Sequence, residues 1–195
     1  MSDAPTRRLF FALWPDGAQR AALLHAAATV VRRCGGRPVP EENLHVTLAF
    51  LGSVPEVRVP ELSAVARRTA AAFPQDAVPI ALRFETLEHF AEAQVLAVLE
   101  RSDDAGAAAV TGATTLARSL SSESAAAGFS PDLKPFRAHV TVARKVARPP
   151  SSGDMRKVLW TFDEFALIES RTREAGPVYS VVASYLLGGA EKMRT

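Results

Sequence analysis

Asn43-Leu44-His45-Val46-Thr47-Leu48-Ala49-Phe50-Leu51-Gly52 decides the fold when it is set beside a second run, His139-Val140-Thr141-Val142-Ala143-Arg144. The six residues from His45 and the six from His139 agree at four positions. Both runs have strand composition, and side chains in a strand alternate between faces, so His and Thr two residues apart point the same way. Val46 and Leu48, and likewise Val140 and Val142, then point to the packed side. Each copy presents an imidazole beside a hydroxyl. A chain with two such halves can pair them about a pseudo-twofold axis, which sets the two imidazoles facing each other across a cleft.

Around these motifs the sequence reads as alternating short elements. Residues 8–14 are apolar enough for a buried strand, and Asp16 can cap a helix over 17–34 that stops at Gly35-Gly36. The first motif strand covers Leu44 to Leu51. Pro60 opens a second helix with Leu62, Val65, Ala66 and Phe73 on its apolar side, and Pro74 closes it. Strands follow at 80–85 and 95–99, then an Ala/Ser/Thr-rich helix over 104–127 that ends at Gly128. The chain continues with a strand over 136–145, the loop Pro149-Pro150-Ser151-Ser152-Gly153, and strands near 160–170 and 177–187. The order βαβαββαβββ lacks a glycine-rich strand-to-helix phosphate loop, and its sequence-adjacent strands argue for antiparallel pairing in an α+β fold. No linker divides it, so residues 1–195 are expected to form one domain of two similar lobes.

Composition narrows the function. At 195 residues and 48% hydrophobic content the chain can bury its own core, and no apolar run is long enough to span a membrane or serve as a signal peptide, which places the protein in the cytoplasm. Cys34 is the single cysteine, so no internal disulfide is possible and a buried thiol is expected. The net charge of +2 is unevenly spread. Between Asp132 and Lys157 lie Lys134, Arg137, Arg144, Lys145, Arg148, Arg156 and Lys157 against only Asp132 and Asp154, a local balance of +5 that suits an anionic ligand.

The paired motifs supply a matching chemistry. Displacement at a phosphate needs one group to take a proton from the attacking hydroxyl or water and another to give one to the departing oxygen. Histidine serves either role near neutral pH, and the hydroxyls of Thr47 and Thr141 can donate to the non-bridging oxygens. No metal is needed. Zinc would call for three or four protein ligands, and neither motif carries Cys, Asp or Glu at ligand spacing. His25, inside the first helix, and His89, near a turn, read as structural or solvent-exposed.

With the motifs Arg8-Leu9-Phe10-Phe11-Ala12, Gly36-Arg37-Pro38-Val39, Asn43 to Gly52, Pro135-Phe136 with His139 to Arg144, and Glu169-Ser170, the sequence resembles the RNA 2′,3′-cyclic phosphodiesterases, historically called 2′-5′ RNA ligases, of the two-histidine phosphoesterase superfamily. The resemblance implies a bilobal fold of two antiparallel sheets with flanking helices and a cleft between them. It also implies hydrolysis of RNA or nucleotide 2′,3′-cyclic phosphates to 2′-phosphates, with reversible 2′-5′ joining in some members. Carried onto this chain, His45 is the acid that protonates the departing 3′ oxygen and His139 the base that activates water. Thr47 and Thr141 hold the phosphate, Phe11 contacts the nucleobase and Arg144 touches the phosphate. Strict alternation places Arg144 opposite His139 and Thr141, so its role requires a bulge or the strand's end. The expected partners are RNA ends or nucleotides bearing a 2′,3′-cyclic phosphate, tRNA halves among them, met by a monomer without cofactor, metal or membrane. A small cyclic nucleotide, an ADP-ribose cyclic phosphate, or RNA bound without catalysis are the competing readings.

Overall fold

A computed structural model describes residues 5–101, 111–132, 134–147, 154–174 and 176–189. Its elements run β1 (Thr6–Leu13), α1 (Gly17–Arg33), β2 (Arg37–Pro38), β3 (Val46–Pro55), α2 (Val59–Ala72), β4 (Ile80–Phe90), β5 (Val95–Glu100), α3 (Gly112–Ala126), β6 (His139–Arg144), β7 (Asp154–Phe162), β8 (Glu164–Arg173) and β9 (Gly176–Leu186). The expected helix over 104–127 is present from Gly112, and its first part falls in 102–110, outside the described residues, as does the loop over 149–153. No helix among the described residues is long and apolar enough to cross a membrane.

The strands form two sheets, ordered β3-β1-β8-β9 and β2-β6-β5-β4-β7, and every pairing is antiparallel. This is the expected α+β architecture of two lobes. The pseudo-twofold relation is visible in the order itself. Strand β1 runs through α1 to the first motif strand β3, and β5 runs through α3 to the second motif strand β6; each motif strand lies beside the strand it came from. Helix α1 lies against β6 and β7 of the second sheet, whereas α3 packs on α2, on β3 of the first sheet and on β4 of the second.

One expectation fails here. A single strand near 160–170 is in fact two, parted at Asp163: β7 pairs with β4 in the second sheet and β8 with β1 in the first. The apolar run misled because both halves are buried. Val158, Trp160 and Phe162 alternate with exposed neighbours, whereas Phe165 to Ile168 are covered on both faces, and the change of pattern marks the crossing.

Local chemistry explains how α1 is placed. Asp16 accepts from the Gln19 backbone N–H at 2.7 Å, and the Gln19 side chain accepts from the Asp16 N–H at 3.0 Å, a reciprocal cap on two otherwise unpaired donors. Gln19 also binds β7: its side chain donates to the Thr161 carbonyl, and its own carbonyl accepts from the fully buried Trp160 indole at 2.9 Å. Trp160 meets Phe84 edge to face in one apolar core that runs through both lobes. Cys34 is buried in that core, as its lone position in the sequence suggested. A smaller cluster of Phe10, Ala12, Ala166 and Ile168 lies on the other face of the first sheet, toward the cleft.

The crossing from α1 to β2 passes close to β6. A Cβ built on Gly36 would lie 2.5 Å from Val146 Cγ2 and 2.9 Å from the Arg144 carbonyl oxygen. Gly36→Ala is therefore expected to push the end of β6 outward and cost about 1–3 kcal/mol. Urea denaturation measures it, and a change below about 0.5 kcal/mol would mean that this backbone can yield.

Candidate active site

Each motif histidine is held in the same way. The Nδ1–H of His45 donates to the Asn43 carbonyl at 2.7 Å, and that of His139 to the Arg137 carbonyl at 2.8 Å, two residues back in both cases. A carbonyl oxygen only accepts, so Nδ1 carries a proton in each ring and Nε2 remains for the cleft. The Asn43 amide donates to the Pro177 carbonyl at 3.0 Å, which ties the turn before His45 to the start of β9.

Both motif strands then break their alternation at the same place. In β6, Thr141 faces Ala97 and Ala143 faces Leu96, so Val142 is an extra residue. In β3, Thr47 faces Ala12 and Ala49 faces Phe11, so Leu48 is extra; Leu51 is a second such residue. A bulge lets two consecutive apolar residues stay buried, here Leu48-Ala49 and Val142-Ala143, and turns the next side chain back to the face of the histidine. That side chain is Phe50 in one copy and Arg144 in the other. The bulge required for Arg144 is thus present.

The two motifs converge on a cleft of ≈ 250 Å³ lined by His45, Thr47 and Phe50 from β3 and by His139, Thr141 and Arg144 from β6. Arg8 and Phe10 of β1, Val39, Asn43, Ser170 of β8 and Tyr179 of β9 complete it. All four polar motif residues are therefore brought together with Arg144. Phe11 is not among them. It is fully buried and packs edge to face on Phe165 in the main core, whereas Phe10 faces the cleft 5.0 Å from the His45 ring centroid. The continuous apolar run over 9–14 gave no phase from which to choose between the two phenylalanines.

The remainder of the cleft was not singled out from the sequence. Arg8, whose guanidinium lies 4.9 Å from the Phe50 ring centroid, shares the Phe10 face of β1 and becomes legible once that phase is known. Phe50 needed the bulge. Tyr179 had no local signal. Glu169 points away from the cleft and pairs with Arg7 at 2.5 Å and Arg171 at 3.0 Å; hydrogen bonds from these arginines hold its carboxyl below the usual range. Its neighbour Ser170 is the one that lines the cleft.

The basic segment is more dispersed than its sequence position suggested. Arg137 is engaged by Glu88 at 2.7 Å and Lys134 lies 3.8 Å from Asp132, Arg156 and Lys157 are exposed on β7, and Arg148 is outside the described residues. Of that segment, Arg144 is the cation that reaches the cleft, with Arg8 arriving from the other lobe. His25 is exposed and His89 meets the Val146 carbonyl at 2.9 Å, both away from the cleft. Among the described residues no three His, Cys, Asp or Glu side chains gather where they could hold a metal ion.

The two histidines sit in different surroundings. His45 is half-buried among Phe10, Trp14 and Tyr179, and its Nε2 meets the Thr47 hydroxyl at 3.0 Å; His139 has Phe90 at 5.9 Å. Burial pushes the His45 pKa from 6.5 down to about 4, aided by the charges of His139, Arg144 and Arg20 and opposed by the bond to the Asn43 carbonyl. His45 is therefore neutral in an empty cleft at neutral pH.

Comparison with known proteins places this geometry. The family model of LigT-like phosphoesterases matches residues 13–91. The chain is 31% identical over 196 residues to the RNA 2′,3′-cyclic phosphodiesterase of Thermus thermophilus, covering 93% of this chain and 91% of the relative. It is 28% identical over 171 residues to the protein of that name from Escherichia coli, covering 86% and 90%. A crystal structure of E. coli LigT complexed with 3′-AMP superposes with a TM-score of 0.77 at 26% identity, over 94% of this chain and 99% of that one.

The buried imidazole makes folding pH-dependent. Between about pH 4 and pH 6.5 the unfolded chain binds a proton at His45 that the folded chain does not, so this contribution is complete above pH 6.5 and is lost as pH falls toward 4. It amounts to about 3 kcal/mol at most. His45→Gln is expected to flatten the decline in stability between neutral and acid pH, compared by urea midpoints. Parallel declines in variant and parent would refute a neutral, buried His45.

Proposed function

Because the chain belongs to the LigT-like phosphoesterase family, among the RNA 2′,3′-cyclic phosphodiesterases, we propose that it hydrolyses 2′,3′-cyclic phosphates at RNA ends or on nucleotides to 2′-phosphates. The observation that carries this reading is the pair of imidazoles, each with Nδ1 committed to a carbonyl two residues back and Nε2 left to one shared cleft. Binding alone needs no such pair; proton transfer at two ends of a breaking bond does.

The proposed sequence assigns one end to each lobe. His139 Nε2 takes a proton from water as its oxygen attacks phosphorus. The bond from phosphorus to the 3′ oxygen breaks, and that oxygen leaves with the proton from His45 Nε2. Thr47, Thr141 and Arg144 donate to the non-bridging oxygens, on which charge accumulates in the transition state. The Thr47 hydroxyl already donates to His45 Nε2, so a phosphate oxygen can take over a donor that is in place. The low pKa of His45 suits an acid loaded by its own substrate: the charge of the anion that must be cleaved favours uptake of a proton from water at Nε2. With an RNA 5′ hydroxyl attacking in place of water, the same displacement gives 2′-5′ joining, and its reverse cleaves that linkage. The 3′-AMP named in the E. coli LigT structure supports a nucleotide-sized ligand at the cleft, with Phe10 rather than Phe11 as the aromatic beside it. The main apolar core, which runs through both lobes, supports one domain of two lobes.

His45→Ala and His139→Ala are each expected to lower turnover of a 2′,3′-cyclic mononucleotide by about 10²–10⁴ without changing thermal stability by more than a few degrees. Phosphorus NMR on that substrate and on an oligonucleotide with the same end should show a 2′-phosphate. Near-parental activity in either variant, or a 3′-phosphate product, overturns the assignment. Activity is expected to persist in excess EDTA; its loss there would require a metal in the mechanism.

A further inference from the structure

Behind His45, away from the phosphate, a cation reaches the imidazole through a shared indole. Trp14 stacks on His45 with ring centroids 5.7 Å apart and planes 27° apart, and the guanidinium carbon of Arg20 lies 4.8 Å from the Trp14 ring centroid. Arg20 Nε donates to the carbonyl of Leu44, the residue before His45, at 3.3 Å. Arg20 is thus in contact with both the ring that packs on His45 and the backbone that carries it, yet it does not line the cleft.

A purely structural side chain would fill this place at lower cost. The Arg20 guanidinium is partly desolvated, and its Nη2 is buried without a hydrogen-bond partner. A leucine or methionine would cover Trp14 without stranding a donor. Three carboxylates, Asp16, Glu41 and Glu42, surround the cation and favour its charge there.

We propose that Arg20 is a positioning residue for the candidate acid, fixing the plane of the His45 ring by bonding the Leu44 carbonyl and lying on the Trp14 indole. Its charge has a second effect. An indole already occupied by a guanidinium is a poorer partner for an imidazolium, and the two positive charges repel. Arg20 therefore adds to burial and to His139 and Arg144 across the cleft in disfavouring a proton on His45; no carboxylate lines the cleft to offset them. Tyr179 meets the ring edge-on at 5.2 Å and Thr47 bonds Nε2, so the ring is confined on its remaining sides by neutral groups. The proton then arrives when an anionic phosphate does, and His45 is already in plane to use it.

This inference rests on His45 as the acid of the proposed reaction, but its first test needs no substrate. In the full chain labelled with nitrogen-15, the His45 imidazole is titrated by NMR, alone and with inorganic phosphate. Arg20→Met keeps the stem on the indole and removes the charge and the Nε–H. The His45 midpoint is expected to rise by about half a pH unit or more. Turnover of a 2′,3′-cyclic mononucleotide should show kcat lowered ~10-fold with KM within ~2-fold. Arg20→Lys, which keeps charge without the planar fork, is expected to hold the parental midpoint and still lose kcat. An unchanged midpoint and kcat in Arg20→Met overturns the proposal, as does an unchanged kcat in Arg20→Lys should the first variant fail to fold. A wrong substrate would show instead as no turnover by the parent, with the midpoint comparison intact.

Discussion

The cleft depends on one backbone constraint: a regular strand cannot place His, Thr and a third side chain at spacings of two and three residues on a single face. Alternation allows the first pair and forbids the third. An extra residue at Leu48 and at Val142 resolves the conflict, and it does so at a tolerable cost because the displaced residues remain buried. The two-residue β2 lies beside the bulged end of β6 with Gly36 tucked under it, so the position of Arg144 is supported from below by backbone rather than by a long side chain.

From equal backbones the two halves then diverge in what surrounds them. The returning residue is an aromatic in one lobe and a cation in the other. The first lobe builds an apolar setting of Phe10, Trp14 and Tyr179 around its histidine, and the second sets Phe90 beside its own. Burial among these rings lowers the His45 pKa, an effect that repetition of sequence could never provide by itself. Symmetry supplies the pairing of the imidazoles; the neighbours of each differ from lobe to lobe.

Much of this was legible in the residues because the informative signals were local. Alternation around His45 and His139, the Asp16 cap, and Pro60 at the start of α2 all act within a few residues, and the structure has them where those signals point. What was illegible depended on phase or on distant parts of the chain. Phe10 and Phe11 sit in a strand buried on both faces, so composition could not say which looked into the cleft. The run near 160–170 concealed a passage between sheets at Asp163, because buried apolar residues lie on both sides of it and Asp163-Glu164 between them carries no glycine or proline to mark a turn. Tyr179 and Arg20 reach His45 from elements far away in sequence, and only the fold brings them there.

That passage at Asp163 has a bearing on how the molecule comes into being. Strands β4 to β7 of the second sheet are consecutive, whereas the first sheet joins β1 and β3 to β8 and β9, from opposite sides of the chain's midpoint. During synthesis the second lobe can assemble its main strands while β1 and β3 still lack the neighbour that completes their sheet. His45 acquires Tyr179 and the Pro177 anchor for Asn43 only when β9 has emerged. The surroundings of His45 are consequently complete only when the last strand of its sheet is in place, whereas the strands on which His139 depends are neighbours in the chain.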